Sequence, residues 1–173
     1  TKVNKLGQIN LWFVNKVFIV LKKLNPNLNL KIKWPNDLYL DEKKLGGILV
    51  ETSIFRGEVN YFLFGVGINL ISNPKNLSYP TISLKKFSKT ISPLNLFLEI
   101  SKTLTKNYYE LKNSSLLTID NNFLKNFKDF KKIIKINFKE KILEGKFNSI
   151  TENGELVLVT AKKKLIIKFG EML

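Results

Sequence analysis

The sequence predicts an α+β fold: a mixed β-sheet with helices packed on it, then a small strand-only unit that forms a barrel or a curled sheet. Three observations carry this. An apolar run at helical spacing fills residues 8–24, strand-length segments separated by turn residues fill 30–70, and only short strand patterns follow residue 131. With 173 residues, 44% of them hydrophobic, the chain has the material for one domain and a small appendage. The change of pattern places a boundary near residue 130, dividing 1–130 from 131–173.

Residues 8–24 (QINLWFVNKVFIVLKKL) read as a largely buried helix with Lys22 and Lys23 in its last turn, where they suit the dipole. Asn25-Pro26-Asn27 stops it. Leu30, Ile32 and Trp34 alternate with Lys31 and Lys33, a strand with one wet face. Leu38–Leu40 continues as strand, 41–44 turns, 45–52 returns, 55–58 turns again, and 59–70 forms a long strand. Residues 71–91 are loop-rich around a short SLKKFSK segment. Ser92-Pro93 starts a helix, an N-cap hydroxyl followed by proline at the first helical position. Phe97, Ile100, Leu104, Tyr108 and Leu111 mark its apolar face, and 113–115 end it. A short helix over about 120–130 carries Phe123, Phe127 and Phe130 on one side. Four strand segments follow, with Asn153-Gly154 as a turn between two of them.

Composition excludes several chemistries. The chain has no cysteine and no histidine, so disulfides, thiol nucleophiles, Ser-His-Asp triads and His- or Cys-ligated metals are all ruled out. The lack of cysteine fits a reducing cytoplasm. Chemistry must come from Lys, Asp, Glu, Asn and backbone groups. The net charge of +15 would suit a nucleic-acid partner. However, Arg56 is the only arginine and the lysines are dispersed along the whole chain, so DNA is not the expected partner. The most apolar stretch, residues 9–24, is broken by Asn10, Asn15, Lys16 and Lys22-Lys23, and is shorter than the roughly 20 apolar residues of a membrane span.

Two stretches carry candidate chemistry. In YFLFGVGINL (61–70), Gly65, Gly67 and Asn69 share one strand face. That face is either a bare floor for a ligand or the track of a closely crossing helix. In KWPNDLYLDEKKLGG (33–47), Pro35 has no N–H for a ladder, and Asn36-Asp37 sets an amide and a carboxylate at the break. Lys44 then leads into Gly46-Gly47, a compact positive charge beside bare backbone, suited to a carboxylate or phosphate oxygen. Taken alone, Lys43-Lys44 would read as a solvated turn.

KWPNDLY (33–39), KLGGILVE (44–51) and GVGIN (65–69), in this order and spacing, closely resemble the biotin–protein ligase family. PTISL (80–84), the helix from Ser92 and the strand-rich tail resemble it too. The resemblance implies a class II synthetase-like catalytic fold over 1–130 and an SH3-like barrel over 131–173. The implied activity is two-step acyl transfer. Biotin's carboxylate attacks the α-phosphate of ATP to give biotinyl-5′-AMP, and a lysine of a biotin carboxyl carrier domain then attacks the anhydride. Lys44 matches the lysine that contacts the biotin carboxylate and phosphate. Asp37 matches the acidic residue of the Trp-Pro-Asn-Asp element, linked to transfer or metal. Asn36 orients that site, and Gly46 and Gly47 form the biotin-side floor. Trp34 reads as core or as ligand wall. Gly65, Gly67 and Asn69 form the nucleotide-side wall. Mg2+ accompanies ATP, with no protein metal site implied, and the family allows a homodimer through paired sheet edges.

Two elements of the family pattern are missing here. Its Gly-Arg-Gly-Arg-x-Gly-Arg adenylate loop and its Ser/Thr-Asn element are not in these 173 residues, which start at Thr1. The expectation is a chain missing the N-terminal part of the catalytic domain, or a decayed or split copy, weak or inactive by itself. The competing readings are a lipoate–protein ligase-like acyltransferase and a non-catalytic basic nucleic-acid-binding module.

Overall fold

The computed structural model describes residues 6–56, 58–87, 91–112 and 118–173. It begins with α1 (Leu6–Leu24). Nine of its residues are buried, spread over more than one face, as befits a helix enclosed by neighbours rather than lying on the surface. It packs on the sheet built from β1 (Leu30–Lys33), β2 (Asp37–Leu40), β3 (Lys43–Phe55) and β4 (Glu58–Ile68). The Phe13 and Phe64 rings lie 4.2 Å apart across that interface. No helix among the described residues is long and apolar enough to cross a membrane.

The first sheet runs β1-β2-β3-β4, and every ladder in it is antiparallel. The mixed sheet expected from sequence is therefore corrected. Short links at 34–36 and 41–42 join successive strands, and β4 starts three residues after β3 ends; spacings this short make hairpins, whereas a parallel pair needs a long crossover. Parallel contact is confined to two isolated bridges, Ile32 with Phe127 and Lys44 with Thr81. The 41–42 link places Asp41 and Glu42 at φ of 47° and 62°, the geometry of a two-residue hairpin turn without its usual glycine.

Beyond the sheet come a 3-10 turn at Leu84–Lys86, α2 (Pro93–Lys106) and α3 (Tyr108–Lys112). The N-cap of α2 is as predicted: Ser92 Oγ accepts from the Asn95 N–H. Ser92→Ala is expected to cost about 1 kcal/mol of stability, readable as a lowered denaturation midpoint with unchanged slope. The apolar face of α2 differs from expectation. Leu96 and Ile100 are buried against α1, while Phe97 and Tyr108 are exposed. At Asn107 the helix breaks, and the Asn107 side-chain amide takes the Thr103 carbonyl, competing with the helical bond there. The predicted stop at 113–115 lies outside the described residues, as do Gly57, the last two residues of the SLKKFSK segment (88–89) and Thr90.

The predicted helix over 120–130 shrinks to α4 (Asn121–Leu124), capped by Asp120. Residues 126–128 instead bond to the edge of β1, with Ile32 N–H donating to Asn126 O and Lys128 N–H to Ile32 O. These tertiary bonds take the groups a longer helix would need.

The second sheet holds β5 (Ile133–Phe138), β6 (Lys141–Ile150), β7 (Leu156–Val159), β8 (Lys164–Ile167) and β9 (Glu171–Met172), ordered β8-β7-β6-β5-β9 and antiparallel throughout. Its ladders do not close the expected barrel. The two-residue β9 pairs only with β5, which leaves β8 and β9 as edges among the described strands. One hydrophobic cluster runs from α1 and the first sheet into β5, β6 and β7. The predicted Asn153-Gly154 turn fastens it: Gly154 sits at φ +83°, its carbonyl accepts from Trp34 Nε1 at 3.0 Å, and a Cβ on Gly7 of α1 would lie 2.4 Å from the Asn153 carbonyl oxygen.

Candidate active site

The break in the first sheet sits where Pro35 was expected to interrupt the ladder. The Trp34–Pro35 bond is cis, and β2 starts two residues later at Asp37. Asn36 locks the break onto β3. Its side-chain Nδ2 donates to Ile48 O at 2.7 Å, and its backbone carbonyl accepts from Ile48 N–H at 2.9 Å. The Pro35 carbonyl accepts from Asn10 Nδ2 of α1. Trp34 is 2% exposed, with its indole N–H on Gly154, so this side chain supports the break from the core side.

Asp37 and Lys44 meet above the break. Asp37 Oδ2 lies 2.7 Å from Lys44 Nζ, with both side chains about one quarter exposed. The strands bring them together because Asp37 stands opposite Gly47 while a register shift at 38–39 sets Tyr39 opposite Lys44. Residues 79–84 flank the same pair. Lys44 N–H donates to Pro80 O and Ile82 N–H to Lys44 O, and Lys44 Nζ is 5.3 Å from the Tyr79 ring centroid. Partial burial strengthens the pull of this ammonium on an anion, and the aromatic face helps hold the ammonium in place.

The four glycines differ in what they do. A Cβ on Gly46 would lie 2.2 Å from the Gly67 carbonyl oxygen, so Gly46 is buried at the close approach of β3 to β4. A Cβ on Gly47 would lie 3.0 Å from Asp37 Oδ1 and 3.9 Å from Lys44 Nζ, so Gly47 is the floor beneath the ion pair. Gly65 and Gly67 are exposed, and added Cβ atoms there would meet β3 at ordinary distances of 3.5 and 3.7 Å. The crossing helix offered as an alternative is not there among the described residues, and the face is open. Gly47→Ala is expected to disturb the Asp37–Lys44 contact far more than the fold. The check is a catalytic rate that drops while the melting temperature moves by only a few degrees.

Asn69 ends this face. Its backbone N–H donates to Leu45 O, its carbonyl accepts from Leu84 N–H, and its Nδ2 donates to Ile82 O at 3.1 Å. Thus Asn69 staples residues 82–84 beside Lys44 and, among the described residues, keeps its side-chain carbonyl for another donor.

Sequence reasoning missed a second layer of charge around Tyr39. Lys33 Nζ and Lys128 Nζ lie 5.3 and 5.9 Å from its ring centroid. Burial raises the Tyr39 phenol above its ordinary pKa, with Asp37 acting the same way. Lys128 is ion-paired to Glu42 and to Asp129. Only the alternation of Lys31 and Lys33 with apolar residues pointed to this face. No group of three or more acidic or His/Cys side chains among the described residues could hold a metal ion.

The model of the biotin/lipoate A/B protein ligase family matches residues 4–69, which include every residue of this site up to Asn69. The bifunctional ligase/repressor BirA of Escherichia coli is 47% identical over 51 residues, 30% of this chain and 16% of that protein. Biotin–protein ligase 1, chloroplastic, of Arabidopsis thaliana is 33% identical over 102 residues, 59% of this chain and 26% of that one. A solved biotin protein ligase from Aquifex aeolicus shares the fold at a TM-score of 0.81 and 22% identity, over 99% of this chain and 75% of that one. The chain resembles the biotin–protein ligases over residues 4–69 in sequence and over nearly its whole length in fold. It aligns with only about a sixth to a quarter of the length of those two curated relatives.

Proposed function

We propose that this chain, as a member of the biotin–protein ligase family, activates biotin with ATP and passes the biotinyl group to a lysine of a biotin carboxyl carrier domain in the cytoplasm. The observation that carries the reading is the Asp37–Lys44 ion pair standing over Gly47 at the edge of an open glycine face. A carboxylate oxygen of biotin attacks the α-phosphorus of ATP, the bond to the bridging oxygen breaks, and pyrophosphate leaves. Lys44 meets the charge on the carboxylate and α-phosphate, a contact that strengthens as negative charge builds. In the second step the amine of the carrier lysine attacks the anhydride carbonyl, AMP leaves, and Asp37 is placed to take the amine proton. Neither step needs histidine or cysteine.

Residues 1–130 form the catalytic domain in this reading and 131–173 the C-terminal domain, an opened version of the SH3-like unit. Gly47 with Gly46 underlies biotin, and Gly65, Gly67 and Asn69 line the nucleotide side. Asn36 and Trp34 hold the break in place from below, and the free edge of β4 offers the pairing edge for a homodimer. The open glycine face admits water to a reactive anhydride. Transfer is therefore expected to be weaker than adenylation in this chain. The family model spans lipoate as well as biotin ligases, so the test supplies ATP with labelled biotin or labelled lipoate and a carrier domain. Labelling by biotin alone supports the reading, and labelling by lipoate in preference to biotin overturns it.

A further inference from the structure

Asp37 has two lysines within reach, and one of them holds it. Lys44 Nζ makes the 2.7 Å contact. Lys33 is the direct cross-strand partner of Asp37 in the antiparallel β1–β2 ladder, which sets their Cα atoms about 5 Å apart with side chains on one face. Yet Lys33 rests on Tyr39, its Nζ 3.5 Å from the phenol oxygen and 5.3 Å from the ring centroid.

The other charges on this face are accounted for. Lys128 is committed to Glu42 and Asp129, and Lys44 to Asp37. Among the described residues, Lys33 has no carboxylate within ion-pairing distance. Burial pushes its ammonium below the ordinary lysine range. Asp37 and Glu171 oppose that shift, and Lys128 and Lys44 add to it. A half-buried cation without a carboxylate therefore stands one side-chain rotation from Asp37.

We propose that Lys33 is the reserve partner of Asp37, moving from Tyr39 onto the carboxylate when Lys44 turns to the anion of a bound substrate. The inference rests on the reading that Lys44 serves that anion. Without an exchange, drawing Lys44 away would strand a partly buried carboxylate, and breaking one side of such a pair is costly. With it, one cation replaces another and Lys44 is released cheaply. Lys33 is thus a positioning residue, acting through Asp37 and Lys44 and touching no substrate.

The test is a four-cornered titration of the Lys33 ammonium by NMR of carbon-13-labelled lysine, using the full chain. Its corners are the unaltered protein, Lys44→Met, Asp37→Asn and the double variant. Removing Lys44 mimics its departure. Its lost repulsion raises the Lys33 midpoint in both backgrounds, but new pairing can add to that rise only where Asp37 is present. The expected result is a rise about 1 pH unit larger with Asp37 than with Asn at that position. Equal rises in the two backgrounds overturn the exchange. Lys44→Gln repeats the cycle should the methionine pack badly. The cycle reads an ammonium and not turnover, so a chain that fails to transfer biotin overturns the functional reading while the cycle still decides the exchange.

Discussion

Lys44→Ala is expected to slow formation of biotinyl-5′-AMP by about 100- to 1000-fold, the usual consequence of deleting one group aimed at developing negative charge. The size follows from where the ammonium sits. It is three-quarters buried, backed by the Tyr79 ring, and fixed at its backbone by Pro80 and Ile82, so no water can reproduce its position. Because the contact strengthens as charge moves onto the α-phosphate, kcat should fall much more than KM rises for either substrate. Single-turnover assays with protein in excess over labelled biotin measure this even when turnover is slow. A loss confined to KM would mean that Lys44 only binds substrate, and an unchanged rate would remove it from the chemistry.

Trp34→Ala is expected to destabilise the fold by about 3–5 kcal/mol, the range for emptying a buried aromatic site. For a chain of this length that is a fall in melting temperature of roughly 6–20 °C. Two losses combine. The indole is almost completely enclosed beside the sheet break, and its N–H satisfies the Gly154 carbonyl at the joint between the sheets. Trp34→Phe separates them, keeping most of the apolar volume and stranding the carbonyl, for a loss of about 1–3 kcal/mol. Thermal unfolding of the three proteins checks the order. If Trp34→Ala melted with the unaltered protein, the joint between the two sheets would not depend on this side chain.

Much of the site was legible because its residues break local rules. Pro35 inside a strand pattern, a carboxylate beside it and paired glycines on a strand are poor choices for stability alone, and the structure puts Asp37, Lys44 and Gly47 within contact of one another. The sequence did not show that Asn36 and Asn69 work as staples, because their partners, the carbonyls of Ile48 and Ile82, lie 12 and 13 residues away. The Lys33–Tyr39–Lys128 layer was hidden for a similar reason. Lys128 reaches the ring from a segment that local pattern assigned to a helix, and it does so because 126–128 bonds to β1. Strand pairing was misjudged where the reading leaned on expected topology. The turn lengths themselves favoured antiparallel hairpins, and nothing local could reveal that β9 would be too short to close the second sheet.

The central claim is that these residues activate biotin with ATP. The direct measurement is biotin-dependent exchange of labelled pyrophosphate into ATP, since exchange reads adenylation and its reversal on the protein without requiring a carrier to dock. The account predicts exchange that appears only when biotin is added and that falls to background in Lys44→Ala. Exchange that ignores biotin, or that is equal in the two proteins, would contradict it.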